Sequence, residues 1–124
     1  MGIGSDIQDV ERIKGHIGTD KMHRMFTEYE LEYFRQKNWA PETIMGVFCA
    51  KEAFFKALGC GLPISQMLDV EVKHEPRGAP YIKLSPRIVH EHHLSTAKIH
   101  LSISHTKTIA TAVCRIMRFD NNYI

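Results

Sequence analysis

Two rhythms of apolar residues run along this chain. From Pro41 to Leu58 the rhythm is helical: Met45, Phe48, Cys49 and Phe55 recur at spacings of three, four and seven around Glu52. Pro41 suits a first helical position, and Gly59-Cys60-Gly61 with Pro63 beyond it is a stop signal. Thr27-Glu28-Tyr29-Glu30 has the capping-box pattern and predicts a second helix over 27–37 carrying Leu31, Tyr33 and Phe34. The other rhythm is a strict alternation. Val70, Val72 and His74 alternate with Glu71, Lys73 and Glu75, which predicts a strand. A turn through Pro76–Pro80 leads to a returning strand from Tyr81 to Leu84. Ser85-Pro86 opens a helix to about Leu94. Ile99, Leu101 and Ile103 then begin a hairpin that turns at His105–Lys107 and returns over Ile109–Met117. Gly2–Val10 reads as a short strand. Asp9 is placed to cap a short helix with Val10, Ile13 and Ile17, weakened by Gly15 and Gly18. Helices followed by antiparallel strands make an α+β class: a small antiparallel sheet packed with a long central helix.

Length and composition narrow the classes. The 124 residues suit one domain over 1–124, and 44% hydrophobic with 24% charged residues argues against disorder. No run reaches the roughly 18 apolar residues of a membrane span. The opening MGIGSDIQDV has neither the basic nor the apolar region of a secretory signal. Sixteen basic against fourteen acidic residues, net +2, gives no reason to expect nucleic acid. Cys49, Cys60 and Cys114 are odd in number and form no CxxC pair, which suits reduced thiols in a cytoplasmic protein.

Glu52 sits amid Met45, Phe48, Cys49 and Phe55, so its carboxylate needs a cation or a donor. Lys56, one turn on, makes an intrahelical pair possible. The other possibility is a divalent-metal ligand beside a lysine that handles phosphate. Lys51 points away from this face and is expected to be solvated. Asp6, in a strand otherwise apolar or small, is either an edge residue or a second ligand for Mg²⁺, which takes one or two carboxylates with water and phosphate. Ser102 and Ser104 share one strand face, and with His105 and Lys107 they suit either solvent or a phosphate. Residues 12–26 hold Arg12, Lys14, Lys21 and Arg24 against Asp20, interleaved with Ile13, Ile17, Met22, Met25 and Phe26. This is an ordinary solvated face or a surface for an acidic amphipathic partner. His90, His92 and His93 are poorly spaced for one metal and read as helix surface.

Three segments together sharpen these alternatives. Gly2-Ile3-Gly4-Ser5-Asp6-Ile7 with Glu11-Arg12-Ile13 resembles the GxGxDI…ERI opening of bacterial holo-acyl-carrier-protein synthases. Phe48 to Gly59, FCAKEAFFKALG, is similar to that family's central F-x-A-K-E-A-x-x-K-A-L-G helix, and Ser102–Thr106 resembles its SISH segment. Phe26-Thr27 and Glu30-Leu31 match the stretch between. The resemblance implies a 4′-phosphopantetheinyl transferase fold and activity: the phosphopantetheine arm of coenzyme A is moved to a serine of an acyl carrier protein, leaving 3′,5′-ADP. It implies Mg²⁺ on Asp6 and Glu52, with Glu52 and Lys56 catalytic. It puts coenzyme A near Lys56, Gly59, Gly61, Ser104 and His105, and the carrier protein on Arg12, Lys14, Lys21, Arg24 and Phe26. It also implies a homotrimer with active sites between subunits. Val47 stands where members often carry Arg or Trp, and the loop from Arg35 to Pro41 is short. Two other readings remain open on the residues alone: a non-catalytic module for an acidic helical partner, and a metal-dependent nucleotide hydrolase.

Overall fold

The computed structural model describes residues 2–61 and 63–119. Its elements run β1 (Gly2–Asp9), α1 (Glu11–Lys14), α2 (Lys21–Met25), α3 (Glu28–Gln36) and α4 (Pro41–Ala57). A 3-10 segment (Ile64–Asp69) follows, then β2 (Val70–His74), β3 (Pro80–Leu84), α5 (Pro86–Glu91), β4 (Ala97–His105) and β5 (Ile109–Arg118). β1, β5 and β4 form an antiparallel sheet in that order, and β2 pairs with β3 in a separate ribbon. The α+β expectation holds, with α4 as the central helix.

Helix α4 is apolar on most of its circumference because it is enclosed: one side lies on the three-stranded sheet, another against β2. Phe54, Phe55, Ile44, Ala50 and Ala53 are buried, and Val47 joins them, so an apolar residue is at home there. The helix stops as its sequence predicts. The N–H of Cys60 donates to the Phe55 carbonyl and that of Gly59 to the Lys56 carbonyl, with Gly59 at φ +85, the left-handed turn of a Schellman end. At α3 both halves of the capping box form: Thr27 Oγ1 accepts from the Glu30 N–H at 3.2 Å, and Glu30 Oε1 accepts from the Thr27 N–H at 2.8 Å.

Alternation places the strand faces. Gly4 and Asp6 of β1 face α4 while Ile3, Ser5 and Ile7 face away. The register pairs Asp6 with Ala112 and Ala112 with Ile103, so β5 separates β1 from β4.

Several local expectations need correction. Asp9 caps nothing: it ends β1, the cap position is Val10, and the helix is a single turn that stops at Lys14 before Ile17. The hydrogen bond from the Val10 N–H to Thr108 carries the chain past Asp9 with sheet geometry. The last predicted helix ends at Glu91 rather than Leu94. Helix α2 and the 3-10 segment are additions, both too short to show a period. Lys51 is not solvated but wholly buried, and Phe26, expected on a docking face, is 1% exposed in the core against Phe34.

Candidate functional site

β1 approaches α4 more closely than a strand with side chains could. A Cβ on Gly2 would stand 1.9 Å from the Ala57 carbonyl oxygen, and one on Gly4 would stand 2.2 Å from that of Ala53. Two glycines on the inner face therefore lay the strand on the helix, and the next inner position, Asp6, arrives beside the last turns of α4. Its carboxylate is nearly buried, with Lys56 Nζ 3.1 Å from Oδ1 and Gln8 Nε2 3.1 Å from Oδ2. Lys56 also donates to the Ser5 carbonyl at 3.1 Å, and Thr111 Oγ1 donates to the Asp6 carbonyl at 2.9 Å.

Lys56 thus reaches across to the strand, and the intrahelical pair with Glu52 is not the one that forms. Glu52 lies one turn earlier on α4 and is half-buried. Burial pushes its carboxyl above the ordinary value, the like charge on Asp6 pushes the same way, and Lys56 pulls back. Cys49, a further turn back, has its thiol pushed up to about 12, first by burial and then by Asp6, so it is a closed neighbour and not a nucleophile. Two carboxylates that repel each other beside one half-exposed ammonium have capacity for a hard divalent cation. Such an ion completes its shell with water and phosphate oxygens, so two protein ligands suffice. Among the described residues no group of three or more His, Cys, Asp or Glu offers another metal site, and His90, His92 and His93 do not form one.

Gln8 was not a candidate from sequence, yet it links two that were. It donates to Asp6, and its Oε1 accepts from Arg12 Nη1 at 2.6 Å. The signal was there in the period of two, which puts residue 8 on the Asp6 face. Lys21 and Arg24 are exposed on α2, and Lys14 is paired with Glu11 at 2.9 Å. A cavity of about 410 Å³ opens between α2, the 3-10 segment and α4, with Lys21, Arg24, Met25 and Met67 around it and Glu52 and Phe48 on its α4 side. A smaller one shares Lys21, Met25 and Phe48 and extends to Gln8 and Arg12. The basic stretch therefore flanks the Asp6–Glu52–Lys56 cluster.

Ser104 and His105 do not join that cluster within one chain. They pair with Thr111 and Ala110, on the side of β5 away from β1, and as neighbours on a strand they point to opposite faces. His105 lies by Gly46, near the start of α4, and lines a polar cavity with Tyr33, Thr43 and His74. Gly59 and Gly61 are exposed just beyond the end of α4 that carries Lys56.

The profile of the 4′-phosphopantetheinyl transferase superfamily matches residues 2–114. This chain belongs to that family. Holo-(acyl-carrier-protein) synthases of Clostridium botulinum and Caldicellulosiruptor bescii are each 42% identical to it, covering 90% and 91% of this chain and 92% and 94% of their own. Among solved structures, the holo-(acyl-carrier-protein) synthase of Bacillus anthracis, in complex with CoA (3′,5′-ADP), superposes with a TM-score of 0.80 at 33% identity, over 95% of this chain and 96% of that one. That of Helicobacter pylori, in complex with coenzyme A, gives 0.77 at 30% identity, over 93% and 99%. The transferase fold expected from the motifs is the one observed.

One more charged centre of the transferase lies on the other side of α4. Lys51 Nζ is 2.7 Å from Glu30 Oε1, and both side chains are 0% exposed. Burial drives each toward neutrality, Glu30 up and Lys51 down, and the charge of each pulls the other back. Every donor and acceptor is used: Lys51 donates also to the carbonyls of Met25 and Met67, and Glu30 accepts from the N–H groups of Thr27 and Val72.

Proposed function

We propose that this chain transfers the 4′-phosphopantetheine arm of coenzyme A to a serine of an apo-acyl carrier protein, with Mg²⁺ as cofactor. The observation that carries this reading is the meeting of Asp6, Glu52 and Lys56 beside a basic, apolar-lined cavity, in a chain of this family. Asp6 and Glu52 would hold the ion, which when bound neutralises pyrophosphate charge and steadies the leaving group. The chain's own residues supply the rest. Glu52, on the α4 side of the cavity, is placed to accept the serine proton as the serine oxygen attacks the phosphorus that bears the arm. The new P–O bond replaces the bridging P–O bond to the nucleotide. Lys56 exchanges Asp6 for phosphate oxygens and gives the departing 3′,5′-ADP its proton. Arg12, Lys14, Lys21 and Arg24 receive the acidic carrier surface, while Gly59 and Gly61 leave room for the nucleotide at the end of α4.

The reading includes a homotrimer. The outer sheet face exposes Ile3 at 71%, Ile7 at 66% and Val113 at 41%, a patch that a second copy would cover. A cyclic head-to-tail assembly would also bring Ser104 and His105 of one copy toward the Asp6–Glu52–Lys56 cluster of the next. We assign the protein to the cytoplasm, where the free thiols of Cys49, Cys60 and Cys114 would stay reduced.

The test is mass spectrometry of an apo-acyl carrier protein incubated with the chain, coenzyme A and Mg²⁺. A gain of one phosphopantetheine arm that disappears with EDTA is expected. No gain with carriers of several origins would overturn the activity, and a gain that EDTA leaves intact would overturn the metal dependence.

A further inference from the structure

Lys51 carries three N–H donors and spends two of them on main-chain oxygens: the carbonyl of Met25 at 2.8 Å and that of Met67 at 2.9 Å. Met25 ends α2, so its carbonyl is one the helix leaves without a partner. Met67 belongs to the 3-10 segment. The side chains of these two residues line the cavity that opens onto Glu52, the residue next to Lys51. Among the described residues no other hydrogen bond joins α2 to the 3-10 segment, or either of them to α4. One ammonium group therefore ties both walls of the cavity to the helix that carries Glu52. It lies behind those walls, fully enclosed, with Phe26 against it at 5.4 Å.

We propose that Lys51 is a positioning residue for the carrier-protein half of the transfer: by holding α2 and the 3-10 segment to α4, it sets the width of the cavity in front of Glu52 and the place of Lys21 and Arg24. This rests on the function proposed above. A buried ion pair contributes little net stability compared with apolar residues of similar size, and removing only one partner is costly. The network is therefore better explained by what it holds in register. A clamp of this kind affects use of the carrier protein, which must meet α2 and enter the cavity. It leaves the binding of coenzyme A, which the same reading puts toward the end of α4, much as it was.

The test uses the full chain carrying both Glu30→Gln and Lys51→Met, which removes the charges together and avoids leaving one buried alone. Assayed well below its melting midpoint, this variant is expected to raise KM for the apo carrier about tenfold, the effect of one lost hydrogen bond to a charged group. KM for coenzyme A should stay within about twofold of wild type by the same reckoning. Equal rises in both constants, or wild-type values for both, would overturn the proposal. Glu30→Gln alone keeps the ammonium on its two carbonyls, so it should lower the melting midpoint and leave the carrier KM near wild type. A carrier KM raised as much as in the double variant would also overturn it. Hydrogen exchange provides a readout that needs no activity: amides of 21–26 and 64–69 should exchange faster in the double variant, and unchanged protection there would refute the clamp. Absence of transfer by the wild-type chain would count against the functional reading, while the exchange result would still decide the clamp.

Discussion

Helix α4 carries two lysines less than two turns apart, and each meets a carboxylate from a distant segment. The Lys51–Glu30 centre is closed: both groups are sealed from solvent, all three ammonium N–H groups are donated and both carboxylate oxygens accept. The Lys56–Asp6 centre is open. Lys56 is half-exposed, and a second carboxylate, Glu52, stands nearby with no ion pair of its own among the described residues. A saturated pair has nothing left to offer a ligand and works on the protein itself. An unsaturated one, with more negative charge than its lysine balances, is where a cation and a phosphate find room. Burial alone does not separate the two, since Asp6 is nearly as enclosed as Glu30; what separates them is the bonding capacity that remains.

The largest effect that sharpens this contrast is on chemistry. Asp6→Ala or Glu52→Ala should reduce transfer by about a thousandfold or more, as expected when several kcal/mol of metal-borne stabilisation is lost. The melting midpoint should hardly move in Glu52→Ala, which relieves a repulsion, and should fall modestly in Asp6→Ala, which also loses the bonds to Lys56 and Gln8. A variant with wild-type turnover at saturating Mg²⁺ would break the contrast. Next comes its mirror image: Glu30→Ala strands a buried ammonium and should cost about 3–5 kcal/mol in urea unfolding. A loss under about 1 kcal/mol, the size of an exposed pair, would mean that the closed centre is not closed.

A smaller effect is pH dependence. Glu52 holds its proton more tightly when folded than when unfolded. In EDTA its contribution to stability is therefore greatest below its ordinary value of 4.5 and is lost as the pH rises through the raised one. Glu52→Gln should remove that component, so the melting midpoint of the variant relative to wild type should rise from about pH 4 to pH 7. A relative midpoint that falls across that window would reverse the sign of the assignment. Smallest is Arg24→Glu, a rim charge: the carrier KM should rise a few-fold at low salt, with the difference fading as ionic strength screens it. A salt-independent change would point to packing instead.

Much of this was legible because it is local. The capping box, the stop after Leu58 and the hairpin alternation each depend on residues within one turn or one strand, and they folded as read. Asp6, Glu52 and Lys56 were identified through motifs, but their pairing was not: Lys56 was offered Glu52 four residues away and took Asp6, fifty away in sequence, because two glycines let β1 lie flat on the helix. Lys51 was misread for the same reason. Its partners at positions 25, 30 and 67 belong to other elements, and a charged residue on a helix is usually solvated. Phe26 looked like part of a basic, aromatic surface; only the packing of α3 shows that it belongs inside.

The glycines at positions 2 and 4 have a consequence for anyone who surveys substitutions across the whole gene. Neither has a side chain to offer a substrate, yet almost any replacement drives a Cβ into the α4 backbone and moves Asp6 with the strand. Positions 2 and 4 should appear as intolerant as 6 and 52. A growth-based screen would rank the spacers and the carboxylates together. Only measuring folded yield beside turnover would sort the residues that make the contact from those that merely stay out of its way.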